Sequence, residues 1–132
     1  MLYDVFRPRR IQTRSLEEES QNRATGWTIK VLYSFNETYS GDGNSPDAGV
    51  TMDKEGNLYG TTNYGGEYNY YGTVFKLSKG ESGEWTETTL HSFTGGADGF
   101  YPVAGVTMHD GLLYGTTMSG GNGSGVVYET SP

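Results

Sequence analysis

The fold class this sequence predicts is all-β, and three observations carry the prediction. Glycine is abundant, tyrosine leads the aromatic residues, and the chain from Trp27 onward repeats itself. Among 132 residues there are 21 glycines and 11 tyrosines, and only 33% of residues are hydrophobic. Each interior glycine costs a helix about 1 kcal/mol relative to alanine, whereas short strands joined by tight turns use glycine where φ must be positive. Tyr, Val and Thr suit a pleated, half-buried surface.

The repeat centres on a pentapeptide, Leu58-Tyr59-Gly60-Thr61-Thr62, which recurs as Leu113-Tyr114-Gly115-Thr116-Thr117. Trp27-Thr28 matches Trp85-Thr86, and Leu32-Tyr33-Ser34-Phe35 matches Leu90-His91-Ser92-Phe93. Ala48 to Met52 recurs letter for letter as Ala104 to Met108, and Gly72-Thr73-Val74-Phe75 answers Gly125-Val126-Val127-Tyr128. The offset drifts from 58 to 53 residues, and each change falls in a turn, where length changes are tolerated. Each unit offers four strands: Ile29–Phe35, Gly49–Met52, Asn57–Thr62 and Thr73–Leu77, then Glu87–Phe93, Gly105–Met108, Leu112–Thr117 and Gly125–Glu129. Asp53-Lys54-Glu55-Gly56-Asn57 reads as a hairpin with Gly at a positive-φ position, and His109-Asp110-Gly111 as its shorter counterpart. Four antiparallel strands at this period predict two tandem propeller-like blades, over about 27–84 and 85–132. Within a blade, Tyr59, Phe35, Tyr114 and Phe93 are the expected inter-blade packing residues, and the mid-strand glycines the points of close approach.

Residues 1–26 stand apart as an arm or linker. Met1 to Phe6 has the alternation of a short strand, and Arg7-Pro8-Arg9-Arg10 breaks it. Ser15-Leu16-Glu17-Glu18 is a capping box for a short helix over Ser15 to Ala24. Leu16 is its one large apolar residue, so the arm is expected to order only against a partner. Its five arginines and four acids leave +1, while the other 106 residues hold four lysines against twelve acids, or −8. A surface that acidic repels phosphate, which argues against nucleic acid as a partner of the repeats. With no cysteine there are no disulfides, thiolate metal sites or cysteine nucleophiles. No apolar run is long enough to span a membrane, and Met1 to Pro8 lacks the apolar run of a signal peptide.

The string Thr88 to Gly99, followed by Pro102, Ala104-Gly105 and Leu113-Tyr114-Gly115-Thr116-Thr117, resembles the GloVer-type tandem repeat. Gly72-Thr73-Val74-Phe75-Lys76-Leu77 resembles that repeat's other hallmark, and the likeness covers about residues 27–129. It implies a blade-like β repeat, usually in longer arrays of bacterial secreted or surface-anchored proteins, with no established enzymatic activity. The location it implies is extracellular or at the cell surface. The sequence departs from the pattern in having two units, a non-repeat arm, and no visible export signal or anchor, so a cytoplasmic location stays open.

Candidate chemistry is sparse. His91 takes the place of Tyr33, and His109 that of Asp53, so neither histidine keeps its chemistry between units. No serine sits in a nucleophile elbow. Asp42 and Asp98 recur as an acidic pair, but both precede Gly, where Asp serves turns through its own backbone. The loop Gly41 to Asp47 clusters oxygen ligands of the kind calcium takes, against the simpler reading of a turn. No cofactor and no catalytic residue is assigned. The distinctive feature is the aromatic loop from Tyr64 to Tyr71. Tyr64, Tyr68, Tyr70 and Tyr71, joined by Phe100 and Tyr101 of the second unit, are the expected ligand- or partner-binding residues, because tyrosine gives rigid contact area with a polar tip. The alternative for Tyr70 and Tyr71 is packing against neighbouring strands.

Two blades are too few to close a propeller, and repeat units seldom bury enough surface alone. Several chains assembling one ring, docking onto something larger, a fragment of a longer array, and two sheets packed as a small sandwich are the alternatives. The expected function is a non-enzymatic interaction module that self-assembles or docks as a small subunit of a larger complex. A carbohydrate-binding, lectin-like module is the alternative, and a hydrolase the third reading.

Overall fold

A computed structural model describes residues 26–36, 41–68 and 70–132. The strand expected over Met1 to Phe6 and the helix over Ser15 to Ala24 lie outside them. The chain divides into Met1–Val31 and Leu32–Pro132. In the first unit the described residues, 26–31, form no ladder, and Trp27, Ile29 and Val31 are exposed.

The second unit is all-β, and none of its described residues is helical. Its strands are β1 (Gly43–Asn44), β2 (Thr51–Met52), β3 (Leu58–Thr62), β4 (Tyr64–Gly65), β5 (Thr73–Lys79), β6 (Trp85–Ser92), β7 (Thr107–His109), β8 (Leu112–Thr116) and β9 (Val127–Thr130). They form three antiparallel sheets, β1-β4, β2-β3-β5-β6 and β7-β8-β9. The turns do what their residues predict. Asp110 and Gly111 both take positive φ, 48° and 78°, as a two-residue hairpin between β7 and β8 requires. The longer β2–β3 turn closes with the Asp53 amide on the Asn57 carbonyl at 3.0 Å, and Gly56 sits at φ 86°.

Sheet and sequence repeat are out of phase, which corrects the expected strand grouping. The last strand of the four-stranded sheet, β6, belongs to the second sequence unit and pairs with β5 of the first. A tight Gly80–Glu84 turn folds β6 back onto β5, with the Gly80 amide donating to the Glu84 carbonyl at 2.7 Å. Among the described residues the β7-β8-β9 sheet has three strands, not four. The strand expected over Ile29–Phe35 is not in a ladder. In sequence it is the counterpart of β6.

The shared pentapeptide resolves into five jobs, one for each residue. Leu58 packs with Phe75 and Leu77 on one side, where Leu32, Tyr33 and Phe35 cover them. Tyr59 faces the other side and is buried with Val74, Phe93, Val106 and Leu113. Gly60 lies directly opposite Phe75, and a Cβ there would sit 2.6 Å from the ring's Cζ. The glycine thus admits the aromatic ring of the facing strand, rather than a neighbouring sheet. Gly115 does the same for Tyr128. Thr61 donates to the Ala104 carbonyl at 2.9 Å, tying the four-stranded sheet to the chain entering β7. Thr62 exchanges a 2.7 Å hydrogen bond with Thr73 and accepts the Thr73 amide.

Candidate functional site

The aromatic residues singled out in the sequence divide into a set in ring contact, whose Tyr64 is still 39% exposed, and a pair that stands free of it. Tyr64 stands edge-on to Tyr101 at 5.2 Å, Tyr101 to Phe100 at 4.8 Å, and Phe100 to Tyr71 at 5.5 Å. The two units' loops therefore meet in one chain of rings. The Tyr101 amide donates to the Tyr71 carbonyl at 3.0 Å and fixes that meeting. Tyr101 pays for it with a φ of 58°, a value its counterpart Ser45 matches at 59°; both residues precede a proline, and both carbonyls accept the amide that follows the pentapeptide. Tyr71 also packs on the core, as the packing alternative expects. Tyr68 and Tyr70 are instead 50% and 68% exposed. Tyr68 borders a surface groove of about 770 Å³ with Glu67, Thr89, His91, Ser92 and Thr94.

Asp42 and Asp98 are turn organisers. Asp42 accepts from the Tyr33 hydroxyl at 3.1 Å and the Asn36 amide at 2.8 Å. Asp98 accepts from the Thr94 amide at 3.0 Å and bonds the His91 ring at 2.9 Å. His91 thus performs the tie that Tyr33 performs in the other unit. Burial pushes the Asp98 carboxyl up, but the bonds from Thr94 and His91 outweigh it and hold the carboxyl below its usual range. The Tyr33 hydroxyl is pushed up to about 12 by burial first and by the Asp42 charge second. In the Gly41 to Asp47 loop these bonds occupy the Asp42 carboxylate, and the Ser45 hydroxyl donates to Asn44. Among the described residues no cluster of three acidic or histidine side chains could hold a metal.

A second feature was not read from the sequence. On the β7-β8-β9 sheet, Val127 is 80% exposed, although its counterpart Val74 is fully buried. Thr116 is exposed where its counterpart Thr61 is buried and bonded to Ala104. Tyr114, directly opposite Glu129, is only half-buried, where Tyr59 is buried completely. Its hydrogen bond to Glu129 raises the Tyr114 pKa. At the other end, Val50 and Met52 are 53% and 63% exposed, and Val50's counterpart Val106 is buried in the core. Comparing equivalent positions, rather than hunting for unusual residues, is the signal that finds these.

Among protein families, the pattern described as the Gloeobacter/Verrucomicrobia repeat matches residues 21–132. The chain belongs to this repeat family. Neither the curated proteins nor the solved structures gave a match. Membership agrees with the resemblance carried by the paired pentapeptides, and it places both candidate surfaces on a repeat scaffold.

Proposed function

We propose that this chain is a non-enzymatic association module that works by extending its own repeat through the open face of the β7-β8-β9 sheet. The observation that carries the reading is Val127, 80% exposed where Val74 is fully buried. In the interior, that position meets the next sheet. At β9 it offers apolar area, an unbonded threonine register and a sheet edge to whatever docks there. Such a module would complete a propeller-like array. An extracellular or surface setting follows the family resemblance alone.

Val127→Asp tests the reading. The side chain is exposed, so the folded monomer tolerates the change, while a charge at the centre of an apolar contact weakens association by about 2 kcal/mol or more, roughly thirtyfold. Light scattering should show assembly for the parent chain and monomer for the variant. A parent chain that is monomeric at all concentrations overturns the proposal.

The groove beside Tyr68 supports a second reading, a carbohydrate-binding surface. An exposed ring next to Glu67, Thr89 and Ser92 offers a stacking plane with hydrogen-bonding groups around it. A glycan array with Tyr68→Ala as control checks it: binding lost in the variant supports the reading, and no glycan bound by the parent ends it.

A further inference from the structure

Resting on that association reading, we propose that the occupant of the open face is a second copy of this chain, which adds its Ile29–Phe35 segment to the outer edge of β9. The arrangement is head-to-tail, and its register can be written residue by residue.

Within one chain, β6 has two relationships. It pairs with β5 along its length, and its end, Leu90 to Phe93, packs on Val106, Leu113 and Tyr128 of the following sheet. The counterpart segment keeps only the second. Leu32, Tyr33 and Phe35 pack on Leu58, Phe75 and Leu77, with Phe35 edge-on to Phe75 at 5.0 Å, as Phe93 is to Tyr128 at 5.1 Å. The same ring contact also joins Tyr33 to Phe35, at 5.0 Å, and His91 to Phe93, at 4.8 Å. One half of a strand's contacts is therefore already made. The missing half is a ladder with a strand like β5, and β9 is that strand, at the edge of its sheet among the described residues.

Carrying the β5–β6 register across the repeat pairs Val127 with Tyr33, Tyr128 with Val31, Glu129 with Lys30 and Thr130 with Ile29 of the second copy. The bulge between Val74 and Phe75 leaves Leu90 without a partner, and Leu32 takes that place. Opposite charges fall directly across from one another at Glu129 and Lys30, and both side chains are exposed. Ile29 and Val31, 67% and 72% exposed, gain cross-strand neighbours. The face follows from the same operation. Tyr114 and Val127 meet Val50 and Phe35 of the second copy, as Tyr59 and Val74 meet Val106 and Phe93 inside the chain. The surface exposed at one end thus fits the surface exposed at the other, which a two-fold dimer would not use.

The chain has no native cysteine, which allows a clean crosslinking test. Val127→Cys and Tyr33→Cys chains, made separately, are mixed and oxidised with glutathione disulfide, since directly opposite strand residues lie within disulfide reach. The expected product is the mixed disulfide, formed at least about tenfold faster than from Val127→Cys with Ile29→Cys, which the register places about 10 Å away. Equal rates, or a dominant homodisulfide of the Val127→Cys chain, overturn the register while the association reading stands. Absence of any assembly of the parent chain removes both. Because Tyr33→Cys also gives up the Asp42 bond, charge reversal supplies a second measurement. Lys30→Glu alone should weaken association about 2- to 5-fold, and adding Glu129→Lys should restore it. Failure of the double variant to recover overturns the pairing.

Discussion

Single residues here carry loads that differ sharply between equivalent positions. Asp53 accepts from the Asn57 amide and side chain at 2.8 Å each, and from the Tyr59 hydroxyl at 2.8 Å. Desolvation alone would raise its pKa, but these bonds pull the carboxyl from 3.8 down to about 2. A carboxyl depressed in the folded state stabilises above its unfolded pKa, and that stabilisation is lost as pH falls through the folded value. Asp53→Asn should therefore melt below the parent chain at neutral pH, with the gap constant above about pH 5 and closing towards pH 2. Parallel melting curves over that range would sink the assignment. Tyr128 is the opposite case. Its hydroxyl is buried without a hydrogen-bond partner among the described residues, and burial pushes its pKa up to about 12. The counterpart Phe75 fills the same position over Gly60 without a hydroxyl. Tyr128→Phe should stabilise the chain by about 1 kcal/mol, or about 3–5 °C in Tm, by removing an unmatched polar group. A drop in Tm would reveal a partner for that hydroxyl.

At the scale of elements, strand identity was legible and strand partnership was not. Leu58–Thr62 and Leu112–Thr116 fall within the strands Asn57–Thr62 and Leu112–Thr117 that the repeat predicts, and the Asp-Gly and Glu-Gly-Asn turns follow from their chemistry. Periodicity cannot say which neighbour a strand joins, and β6 pairs with β5 across the boundary between the two sequence units. Ile29–Phe35 has the composition of a strand but forms no ladder in the described residues, because its composition specifies a face and not a partner. The aromatic loops show the same division. That Tyr71 packs while Tyr70 stays exposed depends on the Tyr101 amide reaching the Tyr71 carbonyl, a contact between residues 30 apart. What does follow from sequence is the mid-strand glycine. Gly60→Ala places a methyl against the Phe75 ring, which Phe35 also contacts edge-on. Neither neighbour can give way cheaply, so a loss of about 2–3 kcal/mol is expected by urea denaturation. An effect below about 0.5 kcal/mol would mean that the ring does not lie over the glycine.

For the whole molecule, the decisive quantity is how its stability depends on concentration. The chain carries −7, and like charge opposes association at long range, so any assembly must be held by local apolar contact and a strand ladder. The four-stranded sheet is covered on both faces, by Leu32, Tyr33 and Phe35 on one side and by the Val106 and Leu113 layer on the other. The three-stranded sheet is covered on one. Melting of an isolated chain should therefore begin at the β7-β8-β9 sheet, and a docked second copy should protect it. Binding that favours the folded state stabilises by mass action, about 1.4 kcal/mol for each tenfold rise in concentration beyond the dissociation constant. The parent chain's Tm should then climb by about 4 °C per decade of concentration, whereas that of Val127→Asp stays flat. Added salt should raise the parent's Tm further by screening the shared negative charge, since the contacts that hold the copies together are largely apolar. A Tm that is independent of concentration in both chains would mean that the exposed face of the second sheet is stable as it stands.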